Sequence, residues 1–461
     1  MSAHVVVVGA GIAGLSAAVT LQDRARRDGT PLRLTVIDGA PHAGGHAQTS
    51  VRDGFLVEAG PNGFLNRSTE ARELVELAGV APRVVEARPE SRRRYILRAG
   101  SLGAVPDSPL SLLRTPLLSW RGRLRVLAEP LTRRRGEGDE TVFDFARRHI
   151  GAEAAEVLVD TALAGISAGD SRRLSLPAQF PLMAQMERQH GSLVKAMAAR
   201  RRAGIAAPRM IGFDGGMRTL VDALAGRLGP SLRLSTPVVA LALIGGGWRV
   251  LQSDGCGIDA DRVVLATPAR VSASLVQRGS PELSAWLQGV TYAGVAVVSL
   301  GFRAADVSRP LDGYGYLVAR SENLVTLGVV WESSLFPGRA PEGHALLRVM
   351  LGGSRRPEVV GWTSERQARV ARDELAGVMG ITADPVMQQV TVWPQAIAQY
   401  TVGHLERQAA INAVLATLPG LSLCGSSYDG VSFGDAIASG VKAAERVATG
   451  LRPRVPVAAG L

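Results

Sequence analysis

The 461-residue chain is longer than a single hydrophobic core usually serves, so two or three packed modules are expected. Its net charge of +11 is concentrated between residues 90 and 210, and no zinc-finger, RNA-binding or helix-turn-helix pattern accompanies it, which argues against nucleic acid as a partner. The two cysteines, Cys256 and Cys424, belong to no metal-ligand pattern, so no metal site is predicted and a reducing compartment such as the cytoplasm is expected.

The predicted elements form βα units at both ends of the chain, with a helical block and a strand-rich block between them. Strands are expected at His4–Val8, Leu34–Asp38, Leu234–Leu243, Trp248–Gln252, Arg262–Ala266, Val295–Phe302, Gly315–Val318, Val325–Val330, Ala345–Leu351, Val386–Trp393 and Leu421–Cys424. Helices are expected from the first glycine motif to about Arg27, after Asn66, at Leu124–Leu131, Val142–Ile150 and Ala152–Leu163, in a long stretch after Ala178, and at Gly215–Gly229, Glu365–Val378 and Phe433–Thr449. The expected fold class is therefore mixed α and β.

The first βαβ unit carries the glycine pattern of a dinucleotide site. Gly9 permits the tight turn after the strand, Gly11 lets the backbone approach a pyrophosphate, and Gly14 permits close helix–strand packing. The N–H groups and the dipole at the helix start then favour the anion. Asp38, at the end of the second strand, is placed to accept a hydrogen bond from a ribose hydroxyl. The alternative is a glycine-rich packing turn.

Two further motifs bear on the choice between FAD and NAD. Gly44-Gly45 and Gly60-Pro61-Asn62-Gly63 resemble the FAD-containing amine oxidase superfamily, in which a second loop crosses the flavin pyrophosphate and a third reaches the isoalloxazine ring. The alternative is two ordinary turns. Near the other end, Gly425 follows a strand and precedes a helix at Phe433, which resembles the superfamily's amides at the flavin C2 carbonyl. A helix dipole there would favour the anionic reduced flavin.

The resemblance implies one non-covalent FAD per chain. The residues expected to contact it are Gly9, Ala10, Gly11, Ile12, Ala13, Gly14, Asp38, Gly39, Gly44, Gly45, His46, Gly60, Pro61, Asn62, Gly63, Val238, Trp393, Gly425, Val431, Ser432 and Phe433. Among these, Val238 is expected at the adenine, Trp393 on the flavin ring, and His46 in a structural role.

Motifs in the middle of the chain resemble those of the protoporphyrinogen oxidase family, in family order. They are Gly165–Gly169, Gly212–Met217, Val349–Ser354, Tyr400–Arg407 and Gly425–Val431. The resemblance spans essentially the whole chain, and amine oxidases and carotene desaturases share only the end motifs. It implies an FAD-dependent oxidase of heme biosynthesis that converts protoporphyrinogen IX to protoporphyrin IX, with dioxygen as acceptor and hydrogen peroxide as by-product. Oxidation of coproporphyrinogen III to coproporphyrin III, and a non-catalytic flavin-binding interaction protein, stay open as alternatives.

The same resemblance implies a substrate pocket. Its residues are expected to be Arg94, Gly169, Tyr314, Leu317, Val330 and Met350. Arg94 matches an arginine that pairs with a substrate propionate, and Gly169 is expected to leave space for the macrocycle. Arginine beside an aromatic residue also suits a carboxylate-bearing apolar ligand on general grounds. The alternatives are ordinary core for the apolar residues and a surface basic run for Arg94. No acid–base triad is evident, and Asn62 is the one candidate for orienting the substrate or the flavin edge.

The resemblance further implies a discontinuous Rossmann-like FAD-binding domain, a strand-rich substrate domain and a helical domain. The expected ranges are 1–88, 206–292 and 385–461 for the first, 89–107 and 293–384 for the second, and 108–205 for the third. The helical block contains Arg121, Arg123, Arg125 and Arg133–Arg135 and matches the family's membrane-facing part. Peripheral binding to the anionic cytoplasmic face of a membrane is therefore expected, with a solvated arginine-rich face as the alternative. Monomer and homodimer both stay open.

Overall fold

The computed structural model describes residues 2–132, 136, 138–204 and 207–451. The strands are β1 Ala3–Val8, β2 Leu32–Ile37, β3 Thr49–Arg52, β4 Phe55–Glu58, β5 Phe64–Leu65, β6 Val84–Glu86, β7 Tyr95–Arg98, β8 Ser101–Ala104, β9 Met210–Phe213, β10 Leu232–Arg233, β11 Val238–Ile244, β12 Gly247–Gln252, β13 Gly257–Ala260, β14 Arg262–Leu265, β15 Thr291–Arg303, β16 Gly315–Val318, β17 Thr326–Trp331, β18 His344–Gly352, β19 Met387–Gln399 and β20 Leu421–Leu423. The helices are α1 Ile12–Arg27, α2 Thr69–Leu77, α3 Pro109–Arg114, α4 Trp120–Leu127, α5 Val142–Ile150, α6 Ala152–Ala154, α7 Thr161–Ser167, α8 Leu176–Gln179, α9 Pro181–His190, α10 Leu193–Arg202, α11 Arg218–Leu228, α12 Ala269–Val276, α13 Pro281–Gln288, α14 Glu332–Leu335, α15 Ser364–Met379, α16 His404–Ala416 and α17 Phe433–Leu451.

A five-stranded parallel sheet takes its strands from three separate parts of the chain. Its order is β10-β2-β1-β14-β20. The valines of β1 are buried because helices α1, α11 and α17 pack on one face, while α12, α13, α16 and the β11–β13 meander pack on the other. Runs of β-branched residues suit such a strand, which is covered on both sides. The expected discontinuous Rossmann-like architecture is confirmed.

The second large sheet is strand-rich and mixed, in the order β19-β15-β18-β17-β16-β7-β8. β19 pairs with β15 from Met387 to Gln399, so this sheet continues beyond residue 384, where the FAD-binding part was expected to resume. Pro394 made this strand look shorter in the sequence. β19 is an edge strand, and edges tolerate a residue that cannot donate to the ladder.

The helical block contains α3 to α10. The long helical stretch expected after Ala178 consists of the end of α8, then α9 and α10, since Pro181 opens α9 and Gly191, in a left-handed conformation, ends it. Ser192 then caps α10 by accepting from the N–H of Lys195. Arg133–Arg135 lie outside the described residues. Among the helices that the structure describes, none is long and apolar enough to cross a bilayer.

A buried charged cluster joins the helices of this block. The His149 ring makes hydrogen bonds of 2.9 Å with Glu129 through Nδ1 and of 2.9 Å with Glu187 through Nε2. Burial opposes the charged imidazole, but these two carboxylates outweigh it and raise the pKa of His149. Burial would likewise raise the pKa of Glu129, yet hydrogen bonds from His149, Ser192 and the N–H groups of Leu193 and Val194 lower it to about 2.

Candidate functional site

The first glycine loop has one open position and two tightly packed ones. Gly9 has φ +105°, and a Cβ there would lie 3.0 Å from the backbone of Ala266. A Cβ on Gly14 would lie 1.9 Å from the Gly9 carbonyl oxygen, whereas one on Gly11 would meet no atom within 4 Å. No side chain caps α1, so the N–H groups of its first turn, including Ile12, face the open space at Gly11. This cradle fits a pyrophosphate.

Asp38 ties the end of β2 to the same loop. Its Oδ2 accepts from the N–H of Ala10 at 2.6 Å, and its Oδ1 accepts from the N–H of Ala40 at 2.8 Å. Each oxygen keeps a further lone pair that a ribose hydroxyl could use. Gly39 lies against Pro237, with its Cβ position 3.4 Å from the Pro237 Cα, and Val238 follows directly. The structure therefore places Asp38, Gly39 and Val238 together at one end of the cradle.

The second glycine motif lies across the first. The N–H of Gly44 donates to the carbonyl of Ala10 at 2.8 Å. Gly44 and Gly45 have φ values of +112° and +57°, a region that favours glycine. A Cβ on Gly45 would lie 3.4 Å from the Cα of Gly11. The two loops thus share one backbone surface.

The third motif packs on the second. A Cβ on Gly60 would lie 1.9 Å from the carbonyl oxygen of His46. The Trp393 indole donates to the carbonyl of Ala59 at 2.6 Å, and its ring meets the His46 imidazole edge-on at 4.6 Å between centroids. Desolvation lowers the pKa of His46. Pro61 follows Gly60 and is partly exposed, so these residues form a continuous wall of the cradle.

The C-terminal helix crosses the first helix at the start of α1 but about two turns into α17. A Cβ on Gly440 of α17 would lie 2.2 Å from the carbonyl oxygen of Ala13 in α1, so only glycine permits this crossing. Gly425 also lies beside Ala13, with its Cβ position 3.8 Å from the Ala13 Cβ. Its N–H donates to Ser439 Oγ at 2.9 Å. The glycine that follows β20 therefore lies beside the start of α1.

Ser432, a predicted flavin contact, forms hydrogen bonds at the start of α17. Its hydroxyl accepts from the N–H of Asp435 at 3.1 Å and donates to Asp435 Oδ2 at 2.6 Å, and its own N–H donates to the same oxygen at 3.3 Å. Ser432 therefore caps α17. The next N–H groups, of Phe433 and Gly434, belong to the first helical turn and have no intrahelical acceptors. Val431 is partly buried against the core of the five-stranded sheet.

Three predicted substrate residues share one face of the seven-stranded sheet. Leu317 on β16 pairs with Gly328 on β17, which pairs in turn with Met350 on β18. Val330 lies two residues beyond Gly328 and therefore points to the same side. The opposite face packs on α15. Helix α7 covers part of the first face, where Gly165 leaves no room for a Cβ beside Leu317.

Tyr314 and Arg94 complete this group at its rim. Tyr314 packs on the cluster that contains Val330 and Met350. The exposed Arg94 places its guanidinium carbon 5.5 Å from the centroid of the Tyr314 ring. Burial raises the pKa of the Tyr314 phenol, and the Glu332 carboxylate adds to this effect. Five of the six predicted substrate residues are thus brought together.

Gly169 follows Ala168, which belongs to the apolar cluster that Met350 adjoins. A Cβ on Gly169 would lie 2.5 Å from Leu174 Cδ1 and 2.7 Å from Gln399 Oε1. Gly169 therefore permits close packing of the loop after α7, and its role beside the macrocycle stays a prediction.

Two charged residues that the sequence interpretation missed lie beside Asn62. Asn62 Nδ2 donates to Glu332 Oε1 at 3.0 Å, and Arg348 Nη1 donates to the same oxygen at 3.4 Å. Arg348 also donates to the Gly60 carbonyl. All three of these side chains are buried. The sequence did contain a signal for this cluster, because Arg348 is a single charged residue within the apolar strand β18 and a buried charge needs a partner.

Two surface hollows lie elsewhere. One, of about 430 Å³, is lined by residues that include His4, Arg33 and Arg249. The other, of about 300 Å³, is lined by residues that include Arg98 and Glu153. Neither contains a predicted site residue, so the candidate site rests on the glycine loops and the sheet face.

Comparison with known proteins agrees with this geometry. The family model described as flavin containing amine oxidoreductase matches residues 12–448. The coproporphyrinogen III oxidase of Bacillus subtilis (strain 168) is 30% identical over 94% of this chain and 95% of its own length. The protoporphyrinogen oxidase of Bos taurus is 33% identical over 95% of this chain and 97% of its own length. A crystal structure from Exiguobacterium sp. 255-15, provisionally described as a protoporphyrinogen oxidase, superposes with a TM-score of 0.85 at 26% identity, covering 98% of this chain and 99% of that one.

Proposed function

Because the chain belongs to the flavin containing amine oxidoreductase family, we propose that it is a protoporphyrinogen IX oxidase of heme biosynthesis. Its cofactor is FAD, and dioxygen is the proposed acceptor, giving hydrogen peroxide. The observation that carries the proposal is the apolar sheet face with Arg94 at its rim, 5.5 Å from the Tyr314 ring, beside the flavin cradle. An apolar macrocycle with carboxylate arms has the matching chemistry.

The residues of the chain divide the work between binding and positioning. Arg94 holds a propionate through a charge-assisted hydrogen bond, while Leu317, Val330 and Met350 take the apolar rings. When bound, the flavin supplies the hydride acceptor. The first turn of α17 directs N–H groups and the positive end of its dipole toward the cleft, which lowers the cost of negative charge there. The protein thus supplies position and electrostatics rather than an acid–base triad.

Coproporphyrinogen III is a second candidate substrate. The Bacillus relative that carries this activity in its name matches almost the whole chain at 30% identity. Both porphyrinogens offer an apolar ring with carboxylates, and coproporphyrinogen has more of the latter. The preference between the two substrates therefore depends on how many positively charged side chains, besides Arg94, lie at the rim of the substrate face.

Anaerobic mixing separates these possibilities. The FAD-loaded protein is mixed with each porphyrinogen in turn, and flavin absorbance is followed in a stopped-flow instrument. Faster bleaching with protoporphyrinogen IX supports the main proposal, and faster bleaching with coproporphyrinogen III supports the second candidate. A flavin that neither substrate reduces would refute both and leave a non-catalytic flavin-binding protein.

The helical block supports a further part of the proposal, peripheral binding to an anionic membrane on the cytoplasmic side. Trp120, Leu124 and Leu131 are 64%, 53% and 79% exposed, an unusual density of large apolar residues on one short segment. Arg121 lies over the Trp120 ring at 5.3 Å and adds positive charge. Anionic lipid attracts such cations by ~1 kcal/mol each near the surface.

Two of the expected membrane-facing arginines have structural partners instead. Arg123 donates to the carbonyls of Leu113 and Leu118, and Arg125 donates to those of Arg148 and His149. Their charges lie near the surface, but their guanidinium groups hold the helices together. The lipid contact therefore depends more on the exposed apolar residues than the sequence suggested.

A further inference from the structure

A buried charge cluster lies behind the Asn62 loop and has no part in the mechanism above. Glu332 is 2% exposed, Asn62 is 6% exposed and Arg348 is 7% exposed. Glu332 Oε1 accepts from Asn62 Nδ2 at 3.0 Å and from Arg348 at 3.4 Å. Within the described part of the chain, Glu332 Oε2 is buried and has no hydrogen-bond partner. Burying a carboxylate oxygen without a hydrogen-bond partner costs free energy, so the unpaired Oε2 of Glu332 needs an explanation.

The cluster lies between the proposed substrate face and the flavin cradle. Arg348 pairs across the sheet with Val330, and it lies two residues before Met350, so its side chain shares their face. Glu332 follows β17 directly as the first residue of α14. Arg348 also donates to the carbonyl of Gly60, which begins the loop that carries Asn62. The cluster therefore links the substrate sheet to that loop.

The chemistry of these groups determines which way the Asn62 amide points. A carboxylate can only accept hydrogen bonds, so it takes the NH₂ group of Asn62 and directs Oδ1 the other way. Arg348 cannot accept and so cannot compete for that NH₂ group. Burial raises the pKa of the Tyr314 phenol and a side-chain hydrogen bond with Asn62 lowers it, so the phenol lies within hydrogen-bond reach of the amide. On a face that is otherwise apolar, an oriented Oδ1 is an acceptor placed beside the rings.

We propose that Glu332 is a positioning residue that fixes the Asn62 carboxamide so that Oδ1 accepts a hydrogen bond from a pyrrole N–H of the substrate. This inference rests on the proposed function and deepens it. A porphyrinogen carries N–H donors at its centre, and a pocket that leaves them unpaired binds it poorly. The side chains of Leu317 and Val330 have no hydrogen-bond acceptor, and the Met350 thioether is only a weak one. Arg348 supplies the counter-charge that makes a buried carboxylate tolerable.

A double-mutant cycle on the FAD-loaded protein tests the inference. Glu332→Gln keeps the shape but brings its own NH₂ group, so the Asn62 amide is no longer held in one orientation. We expect it to lower kcat/KM for the porphyrinogen by about 10–100-fold, the range for a lost hydrogen bond to a charged or oriented partner. Asn62→Ala should produce a similar loss, and the double variant should be no worse than either single one. Glu358→Gln, an exposed glutamate near the same sheet, is the matched control and should change nothing.

Further measurements separate positioning from simple structural support. Affinity for a dicarboxylate porphyrin, measured by fluorescence quenching with the flavin oxidised, should fall about 10-fold in the same non-additive way. Glu332→Asp keeps the charge beside Arg348 but is one methylene shorter. It should therefore retain FAD content and thermal stability while kcat/KM stays low. Additive losses in the cycle, or full activity in Glu332→Asp or Glu332→Gln, would overturn the role of Glu332. If no porphyrinogen reduces the flavin of the wild-type protein, the proposed function is refuted. The porphyrin-affinity measurements would then still test whether Glu332 orients the Asn62 amide toward a pyrrole N–H.

Discussion

Replacement of Gly440 by alanine should disrupt the flavin site from a distance. The new Cβ would lie 2.2 Å from the carbonyl oxygen of Ala13, which is backbone and cannot rotate away. Relief requires α1 and α17 to separate by roughly 1 Å, since non-bonded contacts lie near 3.5 Å. Overpacking of this kind costs about 1–3 kcal/mol of stability. The same movement displaces the start of α1 relative to α17, and losing one or two hydrogen bonds to FAD weakens binding by roughly 10–100-fold.

The assay compares FAD binding and unfolding in matched variants. The dissociation constant is obtained by titrating flavin-free protein with FAD, and thermal unfolding is followed with FAD present. Gly226→Ala on α11 is the control, because a Cβ there meets no atom within 4 Å. It should leave FAD affinity unchanged and raise stability by up to about 1 kcal/mol, as removing a helical glycine usually does. If Gly440→Ala binds FAD as tightly as the wild type, the close crossing of α1 and α17 does not determine the site.

The remaining predictions concern the cofactor, the substrate arginine, the membrane contact and the pH dependence of the helical block. The purified protein should be yellow, with about one FAD per chain that denaturation releases, and flavin retained on the precipitate would contradict non-covalent binding. Arg94→Ala should weaken substrate binding by about 10–150-fold without changing FAD content, whereas the exposed neighbour Arg92→Ala should not, and identical kinetics for both would remove Arg94 from the site. The protein should float with anionic vesicles at low salt but not at high salt or with neutral vesicles, and protein that never floats would refute the membrane contact. Glu129 has its pKa lowered to about 2 and should stabilise the helical block above pH 4.5, its contribution being lost as pH falls toward 2. His149 has a raised pKa and should stabilise the block below pH 6.5, its contribution being lost as pH rises through that raised value. Hydrogen-exchange protection factors in α5, corrected for the intrinsic pH dependence of exchange, that do not vary with pH would contradict both assignments.

Features governed by neighbouring residues could be predicted from the sequence alone. The turn at Gly9, the helix it opens and the strand before it depend on a few consecutive residues, and the structure reproduces them within about two residues. Residues 142–150 were predicted as a helix with the observed bounds, because apolar periodicity and a capping threonine suffice. The family could also be identified without a structure, because the motifs and their order along the chain can be read directly from the sequence.

Other features depended on contacts between distant parts of the chain. Three helices, α12, α13 and α16, were not predicted, and all three are buried against the five-stranded sheet. The α13 helix also has a local start signal that was missed, because Pro281 follows the capping Ser280. The hydrogen bonds by which Ser432 caps α17 through Asp435 were not predicted. The close packing of Gly169 against Gln399, far along the chain, was not predicted either.

The cluster behind the Asn62 loop shows the limit most clearly. The sequence contained the charged residues Glu332 and Arg348 within apolar stretches, which indicates that each needs a partner, but not which partner. Asn62 and Glu332 are 270 positions apart and meet only after the sheet has formed. Local propensity acts over a few residues, whereas a buried charge is satisfied by whatever the completed fold brings within 3 Å of it. The sequence by itself therefore determined that a flavin cradle exists and where its loops begin, and the tertiary structure decided which side chains face it.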